Sequence, residues 1–300
     1  MRPLKVGVQL PEVERVVLWP ELRDMVRAIE DLGFDSVWVG DHLLYRMPDG
    51  PSRGPWEAWS TLAAIAAVTS RVELGPLVAC TSFLNPGVLA KKAATIDEIS
   101  GGRLVLGLGA GWNEVEFDAY GFPFDHRVSR FEEAFTIIRT LLRDGHIDFA
   151  GTYYTVRDLE LLPRGPRPEG PPLMVGSKGE RMLHITLPHV ASWNVWYVDT
   201  GNRPAGVTRL RELVDRVCRE VGREPAEVER TVAVGIQLSG GSGREMSRPA
   251  EAFRGSPEEL AEELRAYARE GIGHVQLVLD PITVGSIEEV AQVLPLLDAG

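Results

Sequence analysis

Short apolar runs rich in Val, Leu and Ile recur along the chain, separated by longer stretches whose apolar residues return every three or four positions. Runs of the first kind lie at 4–10, 36–40, 72–79, 103–109, 172–176, 191–197, 230–237 and 274–279. Their near-continuous hydrophobicity is what strands buried on both faces require. Segments with a helical period occupy 20–33, 57–69, 87–99, 129–143, 179–189, 206–222, 257–270 and 287–298. Asn85-Pro86 and Ser256-Pro257-Glu258-Glu259 put a side-chain acceptor where the first unpaired N–H groups of a helix point. Gly33, Gly222 and Gly271 stand where helix ends take up left-handed backbone. Eight strands in strict alternation with eight helices predict a parallel sheet, and eight strands close an α/β (β/α)8 TIM barrel. A doubly wound open sheet is the rival. It is disfavoured because the first strand runs out through Gln9-Leu10-Pro11-Glu12, with no Gly-rich phosphate turn.

Three connections exceed the usual length: 44–56 after strand two, 144–171 between helix four and strand five, and 239–256 after strand seven. The middle one contains a hairpin pattern, Ile147-Asp148-Phe149 turning at Gly151 into Tyr153-Tyr154-Thr155-Val156. The first and third leave the C-terminal face of the barrel and read as lids. No repeat longer than the βα unit is present, and residues 1–300 read as one domain.

Composition narrows the function classes. The length of 300 residues suits one barrel, which takes about 250 residues plus insertions. A net charge of −11 argues against a nucleic-acid partner, since neutralising phosphates takes clustered Lys and Arg. Cys80 and Cys218 have no CxxC spacing and read as buried thiols. The chain starts directly in an apolar strand, and no apolar run approaches the roughly 20 residues of a membrane span. A soluble cytoplasmic protein with no membrane partner is expected.

In such a barrel, chemistry belongs to polar groups just past the strand C-termini. Strand two ends in Asp41-His42, which places an imidazole able to exchange protons near neutral pH at the mouth; a capping Asp beside a half-buried His is the plainer reading. Strand three carries Gly75-Pro76, which predicts a bulge. Strand four ends Gly107-Leu108-Gly109-Ala110-Gly111-Trp112-Asn113-Glu114; its spacing is not the dinucleotide fingerprint, and the glycines are expected to let a flat ring approach, with Asn113 at its polar edge. Gly176-Ser177-Lys178-Gly179 after strand five offers backbone N–H groups, a hydroxyl and a cation to a phosphate. Trp193 and Trp196 around strand six read as a core aromatic pair. The six histidines show no HxH or HExxH pattern, so no metal site is expected, and no GxSxG elbow supports acyl transfer.

Three runs carry a resemblance: Gly33 to His42, Leu89 to Arg103, and Gly109-Ala110-Gly111-Trp112-Asn113-Glu114. Together with Ala191-Ser192-Trp193-Asn194 they resemble the luciferase-like monooxygenase superfamily over nearly the whole chain. Gln9-Leu10-Pro11-Glu12 and Leu43-Leu44-Tyr45-Arg46 are similar to its deazaflavin-dependent (coenzyme F420) oxidoreductase branch. The resemblance implies hydride transfer between F420 and a small-molecule substrate, and a homodimer. It implies a non-prolyl cis peptide at Leu77-Val78, after Pro76, behind the cofactor ring. It sets His42 over the reactive face, Asn113 at the ring edge, and Gly176, Ser177, Lys178 and Gly179 around a phosphate. Sugar-phosphate dehydrogenases of the superfamily carry Glu where Ala110 stands, so a carboxylate would have to come from Glu12 or Glu114. Two alternatives stay open: an FMN-dependent monooxygenase, and a non-catalytic flavin-binding carrier.

Overall fold

The computed structural model describes residues 2–47, 50–241 and 250–299. Eleven strands are found among these: β1 (Lys5–Gln9), β2 (Ser36–Val39), β3 (Glu73–Pro76), β4 (Ala79–Cys80), β5 (Leu106–Gly109), β6 (His146–Ala150), β7 (Thr155–Glu160), β8 (Leu173–Gly176), β9 (Ser192–Val195), β10 (Glu229–Gln237) and β11 (His274–Asp280). Nine form one parallel sheet in the order β3-β2-β1-β11-β10-β9-β8-β5-β4. Its two end strands are halves of one strand broken at residues 77–78. Both halves face β5: Ala79 pairs with Leu108, and Leu74 pairs with Leu104 just before β5 begins. The seam is drawn shut by Val105 N–H to the Leu74 carbonyl at 2.8 Å. Eight barrel positions therefore close a ring, as the alternation predicts.

The helices are α1 (Trp19–Asp31), α2 (Ala58–Val68), α3 (Pro86–Ser100), α4 (Glu114–Tyr120), α5 (Arg127–Asp144), α6 (Glu180–Thr186), α7 (Pro204–Glu220), α8 (Pro257–Arg269), α9 (Val284–Ala291) and α10 (Val293–Asp298). The expected caps form. The Asn85 side chain accepts from Gly87 and Val88, and Ser256 with Glu259 builds a full capping box. The inserted hairpin forms as well, β6 against β7 antiparallel, extending to Glu160 rather than stopping near Val156. Two differences concern helices. The last segment is two helices joined at Gln292 rather than one from 287 to 298. The short α4, between Asn113 and the left-handed Gly121, is too brief to leave a period in the sequence. Of the expected lids, residues 48–49 and 242–249 lie outside the described residues.

Alternation along the strands sorts two environments. Val6, Val8, Val275 and Leu277 turn outward into the apolar layer shared with the helices. The intervening positions fill the barrel with polar groups that answer one another. Trp38 Nε1 donates to Ser36 Oγ at 2.7 Å, and Ser36 Oγ lies 2.7 Å from His274 Nε2. Burial, with Lys5 adding to it, pushes His274 down to about 3, so the ring is neutral and accepts the Ser36 proton. Asn194 Nδ2 donates to Thr231 Oγ1 and Gln276 Oε1, each at 2.8 Å. No described helix is long and apolar enough to cross a membrane.

Candidate active site

A cavity of about 780 Å³ opens at the C-terminal ends of the strands. Exits of β1, β2, β5, β8 and β9 and the break between β3 and β4 all supply its walls. It brings together Glu12, Asp41, His42, Leu77, Val78, Gly176, Ser177, Lys178 and Gly179 from the expected residues. Pro76 ends β3 behind this wall and Asn113 stands beside it; neither lines the cavity.

His42 is held from both sides by carboxylates. Its Nδ1 lies 2.9 Å from Glu116 Oε2 on α4, and its Nε2 lies 3.5 Å from Glu12 Oε1. Glu116 also accepts the backbone N–H groups of Leu43 and Leu44, so one carboxylate of 1% exposure clamps the whole β2 exit. Glu12 accepts from Tyr45 Oη at 2.8 Å and from Gln9 Nε2 at 3.1 Å. Gly40 leaves room for this carboxylate: a Cβ there would stand 2.8 Å from Glu12 Cδ. Burial alone would lower the His42 pKa, but Glu12 and then the Glu116 hydrogen bond outweigh it and raise the value. The same contact holds Glu116 below the usual carboxylate range in spite of its burial. The rings of Tyr45 and Trp112 stand 4.8 and 5.5 Å from the His42 ring.

Asp41 points the other way. Its Oδ2 accepts the Cys80 N–H at 2.8 Å, tying β2 to β4 beyond the break. Burial raises its pKa to about 7, with that hydrogen bond acting against the shift.

The cavity wall at the break is built around Val78. The Leu77–Val78 peptide is cis, where the resemblance implies it. A Cβ on Gly107, Gly109 or Gly176 would come within 2.8–2.9 Å of a Val78 methyl, and one on Gly107 within 2.3 Å of the Pro76 carbonyl. Gly107 and Gly109 of strand four therefore make room for the bulge, and Gly109 and Gly111 also line the cavity. Above it, Gly179 N–H donates to Ser177 Oγ at 3.1 Å, and Trp193 Nε1 donates to the Ser177 carbonyl at 2.6 Å. The Gly176–Gly179 turn is thus braced before any ligand arrives. Lys178 pairs with Asp199, so its charge is shared inside the protein.

These residues suit a flat ring carrying an anionic tail. Gln9 Oε1 is buried at the cavity with no hydrogen-bond partner, an acceptor awaiting a donor from a ligand. The apolar Leu77–Val78 wall and the Ser177–Gly179 turn supply the other two features such a molecule needs.

A luciferase-like monooxygenase sequence profile matches residues 11–245. The chain belongs to that family. Among characterised relatives, it is 32% identical over 183 residues to the 5,10-methylenetetrahydromethanopterin reductase of Archaeoglobus fulgidus; that match covers 61% of this chain and half of the relative. It is 29% identical to the F420-dependent glucose-6-phosphate dehydrogenase of Amycolatopsis mediterranei, over 92% of this chain and 84% of that one. A solved F420-dependent secondary alcohol dehydrogenase superposes with a TM-score of 0.83 over 99% of both chains at 19% identity, a likeness of fold.

This luciferase-like barrel departs from sequence expectation at several site residues. Asn113 donates its amide to the Leu44 carbonyl at 3.0 Å, bracing the same exit that Glu116 clamps. Glu114 is exposed, while Glu116, two residues on, holds His42. The only sequence signal for Glu116 was an acidic residue shortly after a barrel strand, which the unseen α4 left unplaced. Trp193 is core as expected, yet it also braces the Ser177 turn, and Trp196 lines the cavity. Among the described residues, Glu180, His184 and Glu220 lie close enough to share an ion, but they are exposed and Arg216 already pairs with both carboxylates.

Proposed function

We propose that the protein is an F420-dependent oxidoreductase, transferring hydride between the deazaflavin and a small organic molecule. The observation that carries the reading is His42, held between Glu12 and Glu116 at the mouth of a cavity walled by Leu77 and Val78. The F420-dependent relatives named above support the choice of cofactor.

Leu77 and Val78 would carry the ring, the Ser177–Gly179 turn the phosphate, and Gln9 Oε1 a ring N–H. When bound, the deazaflavin accepts or gives a hydride. The remaining chemistry belongs to this chain. Glu116 fixes the proton on His42 Nδ1, which leaves Nε2 facing Glu12 and the cavity. Nε2 then takes the proton of a substrate hydroxyl, or returns it to a carbonyl oxygen, with Glu12 stabilising the charged ring. Tyr45 and Trp112 pack against the His42 ring and hold its orientation for that exchange.

The test is hydride exchange with purified protein. Reduced F420 is offered with a panel of ketones, enones and imines, and oxidised F420 with alcohols, following cofactor absorbance. Turnover with at least one member is expected. Cofactor that binds yet is never oxidised or reduced would favour the carrier reading.

A further inference from the structure

Trp193 reads from the sequence as a core residue, and its ring is one. It is fully buried, stands opposite Val175 in the β8–β9 pairing, and belongs with Val175 to the apolar layer between sheet and helices. A buried indole N–H still needs an acceptor. This one reaches past the end of β8 to the Ser177 carbonyl, 2.6 Å away and 16 residues back along the chain.

Peptide geometry determines what that bond fixes. The Ser177–Lys178 peptide is trans, so its carbonyl and its N–H point in opposite directions. With the carbonyl drawn outward to the indole, the Lys178 N–H faces inward, on the side where Ser177, Lys178 and Gly179 line the cavity. A second contact acts in the same sense. Ser177 Oγ accepts the Gly179 N–H at 3.1 Å, which leaves its own hydroxyl proton to be given to another acceptor. The Lys178 ammonium is tied to Asp199, just past β9. The β9 strand and its exit thus grip the turn twice, and an N–H and an O–H are set toward the cavity as a phosphate requires.

We infer that Trp193 is a positioning residue for the cofactor phosphate: by pinning the Ser177 carbonyl it aims the Lys178 N–H into the cavity, and so sets how strongly the protein prefers a phosphorylated ring system over its phosphate-free core. This role rests on the reading in which the Ser177–Gly179 turn carries the phosphate. A donor aimed in advance need not be ordered when the ligand arrives, which strengthens binding. Loss of the indole N–H therefore weakens the hold on the phosphate and leaves the ring's contacts at Leu77 and Val78 as they are.

Two pairs of ligands test this: F420 beside its phosphate-free deazaflavin core, and FMN beside riboflavin. Fluorescence titration reads their affinities for the unaltered protein, for Trp193→Phe, and for a variant carrying a benzothiophene analogue of tryptophan at position 193. The analogue has the same shape, with sulfur in place of the N–H, so it preserves the packing should Trp193→Phe fail to fold. The unaltered protein should hold F420 at least about tenfold tighter than its core. Without the N–H, F420 affinity should fall about tenfold, roughly the worth of one charge-assisted hydrogen bond, while affinity for the core stays within about twofold. An equal loss for F420 and its core would make Trp193 structural only and overturn the inference. So would an unchanged F420 affinity, or no preference for the phosphorylated form in the unaltered protein. If neither deazaflavin binds, the F420 reading falls and FMN against riboflavin gives the same comparison. A phosphate preference lost with the N–H then upholds the role of Trp193; a preference that persists, or no binding by either pair, overturns it.

Discussion

His42 Nδ1 and Glu116 Oε2 meet at 2.9 Å across two different barrel exits, one after β2 and one on α4 after β5. This contact sets which imidazole nitrogen faces the cavity. It also joins two loops that otherwise touch through Asn113 and the Leu44 carbonyl.

Replacing Glu116 separates its two roles. Glu116→Ala strands a proton-bearing His42 and the Leu43 and Leu44 N–H groups, and should cost about 3–5 kcal/mol of stability. Glu116→Gln keeps an acceptor and should fold, but it removes the charge that helps raise His42. The basic limb set by His42 in the pH–rate profile should then move to lower pH. An unmoved profile would show that Glu116 is structural only.

His42→Ala should lower kcat by about 10²–10⁴-fold, the usual worth of a positioned acid or base. Affinity for F420 should stay within a few-fold, because the ring is assigned to Leu77 and Val78 and the phosphate to the Ser177–Gly179 turn. Steady-state kinetics beside a fluorescence titration reads both. A variant of undiminished kcat would take His42 out of the proton path.

Asp41 makes stability depend on pH in a defined direction. Its folded pKa is near 7, above the unfolded value of about 3.9. Between these values the folded state binds the extra proton, so its contribution is complete below pH 4 and is lost as pH rises toward 7. His42, raised above about 6.5, acts in the same sense at higher pH. Asp41→Asn should therefore flatten the fall of Tm between pH 4 and 7. A slope equal to that of the unaltered protein would contradict the assignment.

Gly107→Ala tests the wall around Val78. Its Cβ would lie 2.3 Å from the Pro76 carbonyl, a backbone atom with nowhere to move. A loss of about 1–3 kcal/mol in thermal unfolding is expected, as for other overpacked sites, together with weaker cofactor binding.

The barrel was legible because both-face burial writes itself as apolar runs, and the hairpin and capped helices because their turn chemistry is local. The Asp-His exit and the bulge after Gly75-Pro76 were legible from the residues at the strand ends, whereas the cis peptide at Leu77–Val78 was legible only through resemblance. Much of what carried that resemblance lies away from the cavity. In the Leu89–Arg103 run, Asp97 accepts from Arg167 and the Leu104 N–H, and Arg103 donates to the Val72, Ala66 and Ser100 carbonyls. Those contacts lock strand starts, not the mouth. The Glu116 clamp was hidden because it depends on a seven-residue helix and a partner 74 positions away. The packing of Val78 against Gly107 and Gly109 was hidden because nothing local announces that Val78 folds back against them.

The central claim, an F420 site at the mouth of this barrel, is tested most directly by titrating the purified protein with F420 and with FMN under identical conditions, following fluorescence. F420 should bind at least about tenfold tighter than FMN, a difference of about 1.4 kcal/mol. Tighter binding of FMN would contradict the account.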